Sequence, residues 1–315
     1  MRRLATAVVG SLLLVLGLCA GCSSSSDSAP AGCGAGLPTA SGPAGSDPVI
    51  SIPNSDPNGQ LAVCSLRAGT GPVVRPSDYV LINVEGKAWA GNRSVVDSYT
   101  NRQPQGLPLS TALPAWKRLA GQRVGGRVLM VVPPKDGFGS AGNPAASITG
   151  TDTLVFVFDV LQALPAGVTA SGAPQAYHPS PGDPKVTDGP HGPTITVPYG
   201  AKPPDKLTVT VLRKGSGEAI RNGSTVVTQY TGSVWRTGKL FDSSWQRGFP
   251  QTFVLGAGQV LPGWEQGLGG LPVGSRVLLI VPPSFGYGPT GHPPDVNGTD
   301  TLVFVIDIVT AVSGS

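Results

Sequence analysis

Five aromatic residues in the C-terminal half of this 315-residue sequence, Tyr230, Phe241, Trp264, Tyr287 and Phe304, stand in a turn-rich setting. Rings gathered near the concave face of a sheet can line an apolar pocket that carries a few polar handles. Other chemistries lack their residues. No G-x-S-x-G nucleophile turn or P-loop is present. The three histidines, His178, His191 and His292, are scattered, and no Cys/His cluster has metal-ligand spacing. Charged residues make up 13% and the formal net charge is +4, without a Lys/Arg block, which argues against a nucleic-acid stripe.

The elements that must hold these rings are mostly strands. "STVVTQYTGSV" (224–234) carries β-branched and aromatic residues, and "SRVLLIVPP" and "DTLVFVIDIV" are short apolar runs of the kind buried in a sheet. One stretch, "LPGWEQGLGGL" (261–271), is predicted helical. Pro262 suits the first helical position, and Leu261, Trp264 and Leu268 recur at three- and four-residue steps along one face. An antiparallel sheet crossed by one short helix makes an α+β architecture.

The string "GTDTLVFV" occurs at 150–157 and again at 298–305, marking a duplication. "PVISIP" (48–53) answers "PTITVP" (193–198), "LAVCSLRAGTG" (61–71) answers "LTVTVLRKGSG" (207–217), and "RVLMVVPP" (127–134) answers "RVLLIVPP" (276–283). We therefore divide the chain into a signal peptide (1–21), a flexible tether (22–45), a first domain (46–163), a Pro/Gly/Ser-rich linker (164–190) and a second domain (191–315).

The leader has two arginines, a short apolar run and small residues ending "LCAGC". That ending resembles the lipobox of bacterial lipoproteins, which implies cleavage before Cys22, lipidation of its sulfur, and an extracytoplasmic protein anchored to the cell membrane; plain secretion is the alternative. Such a compartment permits a Cys33–Cys64 disulfide, which would contribute roughly 3–4 kcal/mol, against two unpaired thiols.

"QYTGSVWRTGKLFDSSWQRG", "GQVLPGWEQGL" and "FGYGPTGHPP" together are similar to the FKBP-type peptidyl-prolyl cis-trans isomerases, over about 207–310. The resemblance implies two tandem units, each a half-open antiparallel sheet wrapped around one short α-helix. It makes Trp264 the floor of the site and Tyr230, Phe241 and Phe304 its walls. Val260 and Leu261 would form the rim, Asp242 and Arg247 would interact at the mouth, Tyr287 would offer its hydroxyl to a substrate carbonyl, and His292 would lie in the next loop. Gln251 and Asp295 depart from the family pattern. No cofactor is implied. The expected partners are X–Pro segments of exported proteins and macrolides such as tacrolimus or rapamycin, with the chain a monomer. Singly, Trp264, Phe241 and Phe304 read as core residues and Tyr287 as loop packing, and only the joint pattern outlines a site.

In the first copy, Val84 stands for Tyr230, Val96 for Phe241, Phe138 for Tyr287 and Asn143 for His292, whereas Trp116, Asp97, Arg102, Leu113 and Phe156 are retained. An eroded, weakly active or inactive first domain is expected. The competing reading for the whole chain is a peptide-binding holdase without turnover.

Overall fold

The computed structural model describes residues 31–313; the leader and Cys22 lie outside them. Three short strands come first, β1 (Ala31–Gly32), β2 (Thr39–Ser41) and β3 (Val49–Ser51). The first main sheet follows with β4 (Ala62–Arg67), β5 (Tyr79–Ala88), β6 (Ser94–Asp97), β7 (Gln105–Pro108), β8 (Arg127–Val132) and β9 (Leu154–Leu164). Its order is β4-β8-β9-β5-β6, with β7 also pairing to β5, all antiparallel.

The second unit repeats this plan. After β10 (Ala173–Pro174), β11 (Lys185–Thr187) and β12 (Thr194–Thr196) come β13 (Thr208–Lys214), β14 (Thr225–Val234), β15 (Leu240–Ser243), β16 (Gln251–Val254), β17 (Arg276–Val281) and β18 (Leu302–Val312). The order is β10-β13-β17-β18-β14-β15, with β16 on β14. Two α-helices belong here, α1 (Ser244–Arg247) and α2 (Pro262–Leu268). The repeated string forms the start of β9 and of β18, the central strands, whose Leu154–Val160 and Leu302–Ile308 are buried. Continuous rather than alternating burial is what a strand covered on both faces requires.

One short α-helix in each unit was expected; the first unit has a 3₁₀ turn, Trp116–Leu119, instead. Spacing explains the difference. In α2 the buried Trp264 and Leu268 are four residues apart, which an α-helix places on one face. The first copy is one residue shorter here, so the corresponding Trp116 and Leu119 are three apart, and a helix of three residues per turn aligns them. Leu119 and Leu268 both end fully buried.

The flexible tether (22–45) and the linker (164–190) need correction where they are described. Residues 31–51 form a three-stranded sheet, β1-β2-β3, against the back of the first unit, where Ala40 and Ile50 bury on Leu129, Val131 and Val155. β11 and β12 cover the second unit in the same way, with Ile195 and Trp235 on Leu278 and Val303. Composition hid this because few apolar residues are involved and the rest of the contact is polar. Arg127 and Asp159 form a buried two-point ion pair, with 2.7 Å for both bonds. The added layer completes their shells: Arg127 donates to the carbonyls of Gly42 and Ser46, and Gly45 N–H donates to Asp159 Oδ2 at 2.9 Å. In the second unit Arg276 pairs with Asp307 and Asp188, and Ala170 N–H donates to Asp307 Oδ2 at 3.0 Å. A buried pair with its remaining donors and acceptors unfilled would be costly, so these backbone groups belong to each unit's fold. Cys33 and Cys64 are bridged, with Cα atoms 5.3 Å apart, fixing the added layer to β4.

The two units meet along a seam of Tyr79, Leu81, Leu161 and Leu164 with Val227, Val309 and Val312. The Tyr79 and Thr252 hydroxyls are 2.7 Å apart. Gly106 lies beneath this bond: a Cβ there would stand 1.8 Å from Tyr79 Oη and 2.7 Å from Thr252 Oγ1. β7 and β16, which hold the same place in their two sheets, lie side by side across the seam. No helix among the described residues is long and apolar enough to cross a membrane.

Candidate active site in the second unit

α2 packs against β17 of the second sheet, and a hollow of about 410 Å³ opens beside it. Trp264, 4% exposed, is its floor. Three rings meet the indole edge to face: Tyr230 at 5.0 Å between centroids, Phe304 at 5.3 Å and Phe253 at 5.9 Å. Such contacts add about 0.5–1.5 kcal/mol each beyond area burial, so the floor is held rigidly. Gly232 on β14 makes the room: a Cβ there would come 2.8 Å from the Phe304 ring. Val260 and Leu261 lead into α2 and line the hollow, joined by Gln251, Gly258, Gln259, Pro262 and Gly286.

The polar edge is a three-residue network. Tyr230 donates its hydroxyl to Asp242 Oδ2, and Arg247 donates to Asp242 Oδ1 and, at 2.9 Å, to the Tyr230 hydroxyl. The guanidinium also sits 5.2 Å from the Tyr230 ring centroid. Burial, and then the hydrogen bond to Asp242, push the Tyr230 hydroxyl above its ordinary pKa, so it stays a donor. α1 supplies Arg247 and is started by Ser243, whose Oγ accepts from Gln246 N–H. Tyr287 lines the opposite side. Burial, then the nearby Asp242 charge, raise its pKa as well. Among the described residues its hydroxyl has no hydrogen-bond partner, so it remains a free donor.

The structure thus gathers Tyr230, Asp242, Val260, Leu261, Trp264, Tyr287 and Phe304 around one hollow. Phe241, Arg247 and His292 stand behind this lining. Phe241 buttresses Tyr287 and Phe304 at 6.4 and 5.6 Å, and His292 packs on Tyr287 at 5.0 Å with its ring tilted by 38°. Sequence reasoning missed Glu265, whose carboxylate on α2 accepts the N–H groups of Gly256 and, at 3.0 Å, Gly258, bracing the loop that ends at Val260. An acid in the first turn of a helix, just after a glycine-rich loop, was the available signal.

The first unit has lost more of this site than its sequence suggested. Ladder partners fix the equivalences: Gly86 faces Val96 where Gly232 faces Asp242, and Glu85 faces Asp97 where Thr231 faces Ser243. Val96, not Asp97, therefore stands for Asp242, and Asp97 stands for Ser243. Arg102, at φ +51°, holds the place of Gly248, at φ +83°, so it is not the counterpart of Arg247; Asn101 is. The readings of Asp97 and Arg102 as retained site residues, and of Val96 as the counterpart of Phe241, are thus corrected; Val95 stands for Phe241. Asp97 Oδ1 is instead occupied by the N–H groups of Tyr99 and Thr100. The vacated space is filled. Phe158, at the position of Ile306, stacks on Phe156 at 5.6 Å and meets Trp116 at 6.4 Å.

A hollow floored by an indole, walled by rings and edged by a tyrosine hydrogen-bonded to the Asp242–Arg247 ion pair has the shape and polarity to admit a small apolar ring. The comparisons agree with it. The family model described as FKBP-type peptidyl-prolyl cis-trans isomerase matches residues 71–161 and 216–309. The chain belongs to that family. An FK506-binding protein of Streptomyces anulatus is 42% identical over 111 residues, 35% of this chain and 90% of that protein. A probable FK506-binding protein of Corynebacterium glutamicum is 40% identical over 38% of this chain and 98% of its own length. The peptidyl-prolyl cis-trans isomerase FKBP1A of Xenopus laevis is 39% identical over 33% and 95%.

Proposed function

We propose that the second unit carries the isomerase activity, turning X–Pro bonds in exported proteins, and that the first unit is catalytically silent. The observation that carries this is the contrast between the units: the Tyr230–Asp242–Arg247 network beside an open hollow in one, and Val84, Val96 and Asn101 beside a filled core in the other.

Rotation about an imide bond passes a twisted state without amide resonance, at a barrier of about 18–20 kcal/mol. That state has a less polar C–N link, which a dry aromatic hollow favours over the planar, strongly solvated ground state. The proline ring would seat on Trp264, and Tyr287 would hold the carbonyl by a hydrogen bond. No proton needs to move. A barrier lowered by about 7 kcal/mol gives roughly a 10⁵-fold gain in rate.

Several relatives are named for binding FK506, and the same hollow would take tacrolimus or rapamycin, with Gln251 at its edge setting the affinity. Lipidation at Cys22 would hold the chain on the outer face of the cell membrane, where newly exported chains fold. Palmitate labelling of the parent and of Cys22→Ala tests that placement.

A protease-coupled assay on an X–Pro peptide decides the main reading. Full-length Asp242→Ala should lose most of the activity of the parent, and Trp116→Leu in the first unit should lose none. Turnover that survives Asp242→Ala but not Trp116→Leu would reverse the assignment. Suppression of client aggregation with no turnover by the parent would favour the holdase.

A further inference from the structure

The hollow beside α2 does not end at its rim. Gln251 and Gln259 line it on one side, and they also line a second cavity of about 360 Å³ on the other. The far wall of that second cavity comes from the first unit and includes Asp97, Ser98, Asn101, Gln103 and Gln105. The wall is fixed in place by the Tyr79–Thr252 hydroxyl contact over Gly106 and by Gln259 Nε2 donating to Gln103 Oε1 at 3.3 Å.

We propose that this cavity is the continuation of the substrate site, in which the first unit holds the residues flanking the X–Pro bond as an extended segment along β7 and β16. The inference rests on the second unit being the isomerase. The lining chooses the occupant. Side-chain amides both donate and accept, matching the N–H and C=O groups that an extended backbone presents on alternate sides. Gln105 and Gly106 of β7 and Gln251–Val254 of β16 line this cavity, so both strands present residues at its wall. An apolar helix would find few partners for its side chains here. The occupant is therefore the client chain already seated at its proline in the neighbouring hollow, at the point where it leaves that hollow past Gln251 and Gln259. The first unit keeps a function in this arrangement without a catalytic residue of its own.

The test uses the full chain and fluorescence anisotropy with two labelled peptides sharing one X–Pro centre, a tetrapeptide and a twelve-residue peptide with polar flanks. The longer peptide should bind about tenfold more tightly, as two or three net hydrogen bonds supply. Gln103→Trp, which blocks the far wall, should bring it to within roughly twofold of the tetrapeptide, and Asn101→Ala with Gln103→Ala should do so without added bulk. Equal binding of the two peptides by the parent chain overturns the proposal, as does an advantage that survives both sets of substitutions. A proline-free twelve-residue peptide binding as tightly would make the groove a general peptide site and also overturn it. Protease-coupled turnover of the tetrapeptide, measured alongside, reports on the isomerase reading separately, because anisotropy needs no turnover.

Discussion

The hydroxyl of Tyr230 donates to the carboxylate of Asp242, and Arg247 donates to both. The three groups act as one unit, so their substitutions should not add. Asp242→Asn and Tyr230→Phe are each expected to lower kcat/KM by about 10- to 50-fold, and the double variant by little more than the worse of the two. Additive losses in the protease-coupled assay would show that the two residues work independently.

Trp264 meets three rings and is almost wholly buried. Trp264→Leu keeps part of the volume but removes the flat floor. It should cost about 2–4 kcal/mol of stability in urea unfolding and at least roughly tenfold in kcat/KM. Unchanged turnover in a variant that remains folded would remove the indole from the mechanism.

Tyr287 offers a hydroxyl without a partner among the described residues, held protonated by burial and by the Asp242 charge. Tyr287→Phe should lower kcat by about 2- to 10-fold, the worth of one net hydrogen bond, with little change in Tm. The reciprocal Phe138→Tyr in the first unit should add no activity, because the rest of that site is absent.

Glu85 lies beside Asp97 and Asp47, with Lys87 nearby, and burial followed by the Asp97 charge raises its pKa from 4.5 to about 7. The folded chain therefore holds a proton that the unfolded chain releases. The stability this contributes is complete below about pH 4.5 and is lost as pH rises through about 7. Tm followed across that window should fall for the parent and fall less for Glu85→Gln. Equal slopes would refute the assignment.

Gly106 leaves no space for a side chain between Tyr79 and Thr252. Gly106→Val should force the seam open, which small-angle scattering would register as a larger radius of gyration. An unchanged radius would mean that the seam does not depend on this contact.

In the second unit the helix was legible from spacing, since Trp264 and Leu268 end on its buried face, whereas the gathering of the rings around it was what the family resemblance implied. What escaped was of two kinds. The added back layers carry few apolar residues and are tied down by backbone atoms around Arg127–Asp159 and Arg276–Asp307, which composition cannot reveal. The loss of the Asp242 and Arg247 counterparts was masked because Asp97 and Arg102 lie one residue along from the equivalent positions, and only strand register separates neighbours that point to opposite faces.

The exchange of Ile306 for Phe158 has a bearing on how the first unit persists. Shedding Tyr230's counterpart to valine would by itself leave a void and a weaker core. A phenyl ring from the adjoining strand, 1% exposed and stacked on Phe156, stands in its place. On the proposed reading of the first unit as silent, restoring turnover there would mean evicting that ring before any polar group could be brought back.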